Sequence, residues 1–469
     1  MKSFLRNSRR TFLNASGLCL GGIALAELLA SEARGADVDE AERGPHFTAT
    51  ARSAIYLHMV GAPSQLDLFD DKPELRRHHN QPCPPEVTKG RDFAFIGKTS
   101  TLAGSPWNFR RHGQSGQSLS ELLPHLGTVA DELAVVRSIH NDEINHAPAQ
   151  MFLHSGFGRG GRPSLGSWVT YGLGSENSDL PGYVVLVSGP KGGAGTSLWS
   201  TGFLPSVYQG IQFRSQGDPV LFLSSPEGHS RSDRRRVLDA LSKLNHERLQ
   251  TTGDREIETR ISQYEMSFRM QASVPELMNI GEETKQTLED YGADPDQPSF
   301  ANSCLLARRL VERGIRMVEL YDADWDHHSN LEKRLPAKCA ETDRPIAALI
   351  RDLKQRGLLN DTLVVFGSEF GRTPLNQGAT NGKGLSGRDH HKDAYTMWLA
   401  GGGIQGGVSV GKTDDFGMDV VENPVHIHDL NATILHLLGL DHERLTYKYQ
   451  GREFRLTDVH GRVVSEVLA

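Results

Sequence analysis

The chain has 469 residues, of which 37% are hydrophobic and 23% are charged, and its formal net charge at pH 7 is −7. This length is sufficient to bury the core of one large α/β domain or of two smaller domains. The net negative charge argues against a nucleic-acid-binding protein, whereas the 20 histidines are compatible with metal chemistry.

The first 36 residues have the pattern of a twin-arginine export signal. The letters SRRTFL at Ser8–Leu13 precede an apolar stretch at Leu18–Leu29, and small residues follow at Ala33–Ala36. The apolar stretch is interrupted by Glu27 and is short for a membrane span, so a retained N-terminal anchor is the alternative. We expect residues 1–36 to engage the twin-arginine translocation machinery. The mature protein is then periplasmic or secreted, without a stable membrane span.

Apolar runs and helical periodicity alternate along the rest of the chain. The runs predict strands, and the helical patterns include a charged segment at 230–291 that we interpret as a helical insertion or cap. Such alternation is typical of a mostly parallel sheet with helices on both faces, so we predict one α/β domain over residues 37–469. The predicted strands are 54–60, 133–138, 183–187, 316–321, 362–366 and 395–400, and the predicted helices are 118–132, 300–313, 334–356 and 428–438.

Acidic and imidazole groups follow the strand predicted at 316–321. The stretch from Asp322 to Asn330 holds three carboxylates and two imidazoles within seven residues. Asp326 and His328 are two positions apart and can point to the same side at a strand end. A bound metal ion would offset the repulsion among these groups, and a solvated acidic loop is the alternative interpretation.

A second polar stretch begins where the strand at 362–366 ends. Glu369 follows that strand directly, and Asp389 and His390 precede the apolar run at 395–400. In open α/β sheets, ligands bind beyond the carboxyl ends of the strands. We therefore predict that these three residues join Asp326 and His328 in a cage for Zn²⁺ or Mn²⁺, with Ca²⁺ and Mg²⁺ as alternatives.

Three further residues are candidates for catalysis or substrate binding. Arg372 would suit an anionic phosphate or sulfate group, and a structural salt bridge is its alternative role. His146 follows the strand at 133–138 and is either a catalytic or substrate-binding residue or a hydrogen-bonded structural one. Ser64 lies just past the first strand and is a candidate nucleophile, although the sequence shows no neighbouring base.

Collinear motifs along nearly the whole mature chain resemble the DUF1501 family, which consists of exported bacterial proteins of poorly defined function. The resemblance implies a doubly wound α/β fold of the alkaline phosphatase and sulfatase superfamily. It also implies a metal site at the carboxyl ends of the strands and a Ser, Thr or modified Cys nucleophile. The motifs are SRRTFL, GAPSQLD, NHAPAQ, RPSLGSW, WDHHSN, SEFGRTP, GRDHHKDAYTMWLAGGG and GREFRLTDVHGRV.

The resemblance assigns metal-binding roles to residues that match the superfamily pattern. Asp326 and His328 resemble its Asp and His metal pair, Glu369 takes the place of the Asp in a second Asp-His pair, and His390 resembles the later metal-binding histidine.

The sequence also departs from the superfamily pattern. Phe370 stands in the place of a histidine for the second metal ion. Gly61 stands where an aspartate is expected, which leaves Asp67 as a substitute, and His146 falls where a nucleophile is expected. The chain has no Cys-x-Pro-x-Arg signature, which excludes a formylglycine nucleophile.

The resemblance implies an exported, metal-dependent hydrolase of phosphate or sulfate esters. Its substrate would be an anionic ester, such as a sulfated polysaccharide or a phosphoester. One alternative is a non-catalytic binding or accessory protein with a degenerate metal site. Another alternative is metal-assisted hydrolysis of a different bond, such as an amide.

Overall fold

A computed structural model describes residues 44–469 except 92, 98–99, 190–192, 215–218, 221–227, 229, 255 and 379–386. The predicted export signal, residues 1–36, lies outside the described residues.

The strands lie close to the positions that the apolar runs predict, with several short additions. They are β1 (Ser53–Met59), β2 (Phe109–His112), β3 (Gln117–Ser120), β4 (Leu133–His140), β5 (Tyr183–Ser188), β6 (Ile211–Phe213), β7 (Met317–Asp322), β8 (Thr362–Gly367), β9 (Gly371–Asn376), β10 (Arg388–His391), β11 (Tyr395–Ala400), β12 (Ser409–Val410), β13 (Lys412–Thr413), β14 (Val420–Glu422), β15 (Val425–His426), β16 (Tyr447–Tyr449) and β17 (Arg452–Phe454).

The helices begin and end with the expected capping chemistry. Helix α9 starts after Ser299, whose side chain accepts a hydrogen bond from the Asn302 amide, and Gly314 follows its end with a φ of 81°. The helices are α1 (Gln65–Leu68), α2 (Pro73–Arg77), α3 (Pro85–Thr88), α4 (His146–Ser155), α5 (Leu165–Leu173), α6 (Arg231–Thr252), α7 (Glu256–Met278), α8 (Lys285–Tyr291), α9 (Phe300–Glu312), α10 (Leu331–Gln355) and α11 (Ile427–Leu437).

Among the described residues, nine strands form the central sheet, in the order β12-β4-β11-β8-β1-β7-β5-β6, with β15 also pairing with β4. Strand β11 is antiparallel to both of its neighbours, and the other pairings in this sheet are parallel. The carboxyl ends of β1, β4, β7 and β8 therefore lie at one edge of the sheet, and β11 begins at that edge. The fold is mixed α/β with a mainly parallel sheet, as predicted.

Helices cover both faces of the sheet, and the alternation of side chains along β1 shows why. Ile55 and Leu57 belong to a core cluster that includes residues of α9 and α10. Ala54 and Tyr56 point to the opposite face, where residues of α4, α5 and α11 form a second cluster. Successive side chains of a strand point to opposite faces, so a continuous apolar run is what a sheet covered on both sides requires.

Two predicted segments have a different structure. The segment 118–132, predicted as a helix, contains strand β3 and a short 3₁₀ helix at Leu126–Glu132. The polar stretch after β8 is not only loop, because β9 and β10 pair as an antiparallel hairpin. This hairpin was missed because its strands are rich in Arg, His and Pro, although all their residues are buried.

Residues 230–291 contain helices α6, α7 and α8. Met270, Val274 and Leu277 of α7 pack into the same core cluster as α9. A role for this segment as a cap over the site stays a prediction. Among the described residues, no helix combines the length and the apolar character needed to cross a membrane.

A fully buried ion pair between Arg388 and Asp67 connects the β9–β10 hairpin to the segment after β1. The Arg388 guanidinium donates to Asp67 through Nε at 2.7 Å and Nη2 at 3.0 Å, and neither side chain is exposed. Arg388 also donates to the carbonyls of Ala103 and Thr373. Because bidentate geometry and extra acceptors satisfy the guanidinium, this pair fixes the position of β10, which carries His390.

We predict that Arg388→Met lowers the free energy of unfolding by about 3–5 kcal/mol, because the Asp67 carboxylate would be left buried without its partner. Urea unfolding followed by circular dichroism measures this. The control is Lys412→Met, which breaks the exposed Lys412–Glu422 pair and should cost less than about 1 kcal/mol. Equal losses in the two variants would contradict the assigned role of the buried pair.

Candidate metal centre

Four side chains from three segments converge at the carboxyl edge of the sheet. His146 is the first residue of α4, Asp326 and His328 lie in the loop after β7, and His390 lies in β10. One potential ligand atom from each residue lies within 4.8 Å of those from the other three. The arrangement is the only such group of three or more His, Cys, Asp or Glu side chains among the described residues.

The geometry centres on one carboxylate oxygen. Asp326 Oδ1 lies 2.8 Å from His328 Nε2, 3.4 Å from His146 Nε2 and 3.7 Å from His390 Nε2. The Nε2 atoms of His328 and His390 are 3.0 Å apart. Two ligand atoms about 2.1 Å from a tetrahedral zinc ion lie about 3.4 Å from each other. The observed separations bracket this value, so small side-chain movements would let the four groups share one ion.

The remaining ring nitrogen of each histidine faces an oxygen acceptor. His146 Nδ1 lies 2.7 Å from Glu369 Oε1, His328 Nδ1 lies 2.5 Å from Gln377 Oε1, and His390 Nδ1 lies 2.9 Å from the Ile144 carbonyl. Each Nδ1–H can therefore donate outward, and loss of any Nε2 proton would leave the Nε2 lone pairs directed at the centre. Metal-binding histidines commonly have such partners, because the hydrogen bond fixes both the tautomer and the ring orientation.

The charges of the centre are strongly coupled. Burial raises the pKa of Asp326, but hydrogen bonds from His146, His328 and His390 outweigh that effect and hold it well below its ordinary range. The pKa of His390 is lowered, first by burial and then by the nearby positive charge of Arg372. Burial also lowers the pKa of His146, but its hydrogen bonds to Asp326 and Glu369 prevail and raise it to about 9.

Two glycines allow the loops to come this close. Gly61 has a φ of 105°, and a Cβ there would lie 2.6 Å from the amide nitrogen of Asp326. A Cβ on Gly387 would lie 2.1 Å from the carbonyl carbon of His328. The departure at Gly61 from an expected aspartate therefore has a steric reason, because a side chain would displace the loop that carries Asp326.

Glu369 was predicted as a metal ligand. Its carboxylate contacts His146 Nδ1, which is the ring nitrogen on the side away from Asp326. Its side chain is fully buried, and its two oxygens face the Gly61 amide, His146 Nδ1, Gln150 Nε2, the Ser368 hydroxyl and His58 Nε2 at 2.7–3.2 Å. The four-residue group contains His146 and not Glu369. Because this carboxylate is already surrounded by donors, the geometry favours His146 over Glu369 as a ligand, and the predicted ligand role of Glu369 stays a prediction.

Asp389, also predicted as a ligand, lies outside the four-residue group, and its ligand role stays a prediction. Its Oδ2 accepts hydrogen bonds from the amides of Phe95 at 2.8 Å and Ile96 at 3.1 Å, and its Oδ1 accepts one from the His390 amide. The carboxylate thus holds the segment that carries Phe95. The Phe95 ring lies edge-on to His328 at 5.0 Å and to His390 at 5.3 Å, and it is 64% exposed. The Phe95 ring therefore lines the side of the centre next to His328 and His390.

Arg372 reaches the centre, but its donors are occupied. Its Nε donates to the Ala62 carbonyl, and its Nη2 donates to the Gly61 carbonyl and to Asp326 Oδ1. Its Nη1 contacts the Arg388 carbonyl and His328 Nε2. Four of its five N–H groups donate to oxygen acceptors, the fifth approaches His328 Nε2 at 3.5 Å, and 1% of the residue is exposed. The geometry is that of a buried cation beside Asp326, and a role for Arg372 in holding a substrate anion stays a prediction.

Ser64 is not arranged as a nucleophile. Its residue is 2% exposed, and its hydroxyl donates to Asp67 Oδ2 at 2.5 Å. Asp67, the proposed substitute for a missing metal ligand, is itself paired with Arg388. Neither residue belongs to the four-residue group.

Phe370, which stands in the place of a second-metal histidine, packs against the imidazoles. Its ring centroid lies 4.5 Å from that of His390 and 4.9 Å from that of His146. A nonpolar ring at this position supports the orientation of the histidines without offering a ligand atom.

The comparisons with known proteins establish the family. Residues 51–468 match the family described as "Protein of unknown function (DUF1501)", and the chain belongs to that family. No curated protein matches the chain.

The chain is also similar to several solved structures. The lipoteichoic acid synthase LtaP from Listeria monocytogenes is 10% identical, with 90% of this chain and 78% of that chain covered and a TM-score of 0.39. The PsFucS1 sulfatase from Pseudoalteromonas sp. is 13% identical, with 90% and 71% covered and a TM-score of 0.34. The alkaline phosphatase from the Antarctic bacterium TAB5 is 10% identical, with 83% and 98% covered and a TM-score of 0.33.

We predict that zinc binding releases about one proton at pH 7.5. Because the pKa of His146 is about 9, this imidazole carries a proton at neutral pH that the metal must displace. The apparent affinity should therefore rise by up to about tenfold per pH unit below pH 9 and level off above it. Calorimetric titration in two buffers of different ionisation enthalpy counts the protons. An affinity that does not change between pH 7 and 9 would contradict this assignment.

Proposed function

We propose that the protein is an exported, metal-dependent hydrolase of phosphate or sulfate esters with a single metal ion. The observation that carries the proposal is the convergence of three Nε2 atoms on Asp326, each from a histidine whose Nδ1 faces an oxygen acceptor. Such preorganisation is difficult to explain as a solvated surface loop, because the acceptors lie in three separate segments.

The donor set favours Zn²⁺ or Mn²⁺ over Ca²⁺ or Mg²⁺. Three imidazoles and one carboxylate match the ligands of Zn²⁺ and Mn²⁺, whereas Ca²⁺ and Mg²⁺ prefer oxygen-rich sites. An ion bound there would polarise an ester oxygen and lower the pKa of a bound water molecule.

The exposure and the hydrogen bonds of the four ligand residues indicate how an ester would be attacked. Asp326 and His146 have side chains that are 42% and 24% exposed, so the centre opens to solvent on their side. Among the described residues, no serine, threonine or cysteine side chain hydrogen-bonds to the four ligand groups. We therefore propose direct attack by water rather than a covalent intermediate on the protein.

The export part of the proposal rests on the pattern of residues 1–36. We propose that this segment directs the chain through the twin-arginine route, and that residues 37–469 act as one domain in the periplasm or outside the cell. An anionic ester of a polysaccharide or a smaller phosphoester would be the substrate there.

A second candidate function is a binding or accessory protein that retains the metal centre without turnover. The burial of Arg372 and its four donated hydrogen bonds favour this alternative, because they hold the guanidinium group away from a solvent-borne phosphate or sulfate. The two candidates differ in turnover and not in metal content.

We predict that the purified chain contains about one equivalent of metal and hydrolyses aryl phosphate or aryl sulfate esters. Asp326→Asn and His390→Gln should each lower zinc affinity by about a hundredfold or more, because each removes a direct ligand. The matched control is His246→Gln, an exposed histidine of α6. Elemental analysis and turnover by the same preparations decide between the functions. Stoichiometric metal without turnover supports the binding protein, and unchanged metal content in both variants would refute the centre itself.

We predict that Phe95→Ala raises KM for an aryl ester about three- to tenfold with little change in kcat. The exposed ring stands beside two ligand histidines, where it can contact the leaving group without taking part in the reaction. Steady-state kinetics with Val421→Ala as the control tests this, because Val421 is equally exposed at 63%. A fall in kcat at unchanged KM would contradict a purely binding role.

A further inference from the structure

A polar pocket of about 500 Å³ lies beside β4 and contains none of the four residues of the metal centre. Its walls come from β4, from β12, β13 and β14, from the segment between α1 and α2, and from a 3₁₀ turn near the C-terminus. Charged, hydroxyl and amide side chains make up most of the lining. The volume is in the range of pockets that hold small organic ligands.

Arg137 reaches this pocket from a β-bulge in β4. Val136 of β4 pairs with Met397 of β11. The next pair on β11 is two residues away, at Tyr395, whereas its partner Ile139 is three residues away on β4. Val136 and Ile139 therefore belong to the same core cluster, although regular alternation would place them on opposite faces. Bulges change the direction of side chains, and this one carries Arg137 into the lining of the pocket.

The loop between β12 and β13 packs directly against the bulge. Gly411 has a φ of 74°, and a Cβ there would lie 1.9 Å from Ser138 Oγ. The Ser138 hydroxyl donates to the Asn423 carbonyl at 2.5 Å. These two contacts hold the β13 and β14 side of the pocket next to Arg137, so the wall is in place before any ligand binds.

The guanidinium group of Arg137 is held on one side and open on the other. Its Nε donates to the Phe69 carbonyl at 3.0 Å, which fixes the orientation of the group. Within the part of the chain that the structure describes, Nη1 and Nη2 have no acceptor and the side chain has no carboxylate partner. Burial lowers the pKa of Arg137, and the charge of Asp70 only partly offsets this effect. The partly buried cation thus lacks the partner that its surroundings call for.

The carboxylates that line the pocket already have cationic partners. The pairs are Asp70 with Lys72 at 3.2 Å, Glu422 with Lys412 at 2.5 Å and Glu466 with Arg462 at 3.7 Å. Counting the described residues alone, Arg137 is the one lining cation that no carboxylate balances. The pocket therefore has a single uncompensated positive charge, which suits a monoanion. A dianion such as a phosphate monoester would be repelled by the three carboxylates.

We propose that this pocket binds a small hydroxylated organic molecule that carries one singly charged oxyanion, either a carboxylate or a sulfate ester. Nη1 and Nη2 of Arg137 would each donate to one oxygen of the anion, in the bidentate geometry that a guanidinium group favours. The side chains of Glu422 and Glu466 are 48% and 38% exposed, so their oxygens can accept hydrogen bonds from ligand hydroxyls. The site is separate from the metal centre and does not depend on the proposed hydrolase activity.

Calorimetric titration of the full chain with glucuronate, glucose 6-sulfate and glucose tests the proposal. The first two probes carry a carboxylate and a sulfate ester on the same kind of sugar ring, and glucose carries no charge. We expect saturable binding of at least one anion and none of glucose at the same concentrations, and the tighter anion identifies the preferred oxyanion. Equal binding of glucose and the anions, or no binding of either anion, would overturn the proposal.

Variants of the guanidinium group locate the bound anion. Arg137→Gln should weaken binding about ten- to a hundredfold, because it removes a charged pair of hydrogen bonds. Arg137→Lys keeps the charge without the bidentate geometry, so its affinity should lie between the two. The matched control is Arg110→Gln, which removes an exposed arginine of β2 outside the pocket and should bind like the native chain. Circular dichroism confirms that the variants are folded, and unchanged binding by folded Arg137→Gln would refute the site.

A crystal structure of the native chain soaked with the tighter anion does not depend on any variant. We expect its oxyanion about 2.8 Å from Nη1 and Nη2 of Arg137. An empty pocket would overturn the proposal. Density in the pocket without saturable binding in solution would mean binding at crystal concentration only, and it would overturn the proposal as well.

The variant His390→Gln separates this inference from the proposed function. It removes a metal-centre residue that does not line the pocket, so anion binding at Arg137 should be unchanged. Binding that is lost in His390→Gln and kept in Arg137→Gln would place the anion at the metal centre and refute the pocket. A native chain without metal or turnover would refute the hydrolase and leave the pocket's prediction as it stands.

Discussion

The carboxylate of Glu369 joins the elements that surround the candidate metal centre. It is fully buried, and it accepts hydrogen bonds from the segment after β1 and from the first turns of α4, while His58 of β1 approaches its other oxygen. Burial raises its pKa, but the hydrogen bonds of His146 and His58 outweigh burial and lower the pKa well below the ordinary value. A charge held in this way fixes three elements in register at the edge of the sheet, because each would leave an unsatisfied group if it moved.

The metal centre follows from that constraint. His146 is held by Glu369 on one side and directs its other nitrogen toward Asp326, while the loop after β7 brings Asp326 and His328 to the same place. The β9–β10 hairpin completes the group with His390, and the buried pair of Arg388 and Asp67 fixes that hairpin. Preorganised ligands of this kind lose little conformational freedom when an ion binds.

Much of the fold could be predicted from the sequence, because apolar runs identify strands that are buried on both faces. The sequence also predicted that Asp326, His328 and His390 lie close together, because each of them follows or precedes such a run. It could not show that Glu369 points behind the centre, because side chains at a strand end can lie on either side. His146 was predicted as a catalytic, substrate-binding or structural residue and not as a metal ligand, since a lone histidine far from the others in sequence gives no ligand spacing. His58 and Glu319 are ionisable residues inside apolar strands. This feature is visible in the sequence, but no prediction was drawn from it.

Anomalous diffraction at the zinc edge, from crystals of the full chain soaked with zinc, is the most direct measurement of the central claim. The account predicts one ion within about 2.0–2.2 Å of an Asp326 oxygen and the Nε2 atoms of His146, His328 and His390, with Glu369 in contact with His146 but not with the ion. An ion bound by Glu369 or Asp389, or no ion at this edge of the sheet, would contradict it.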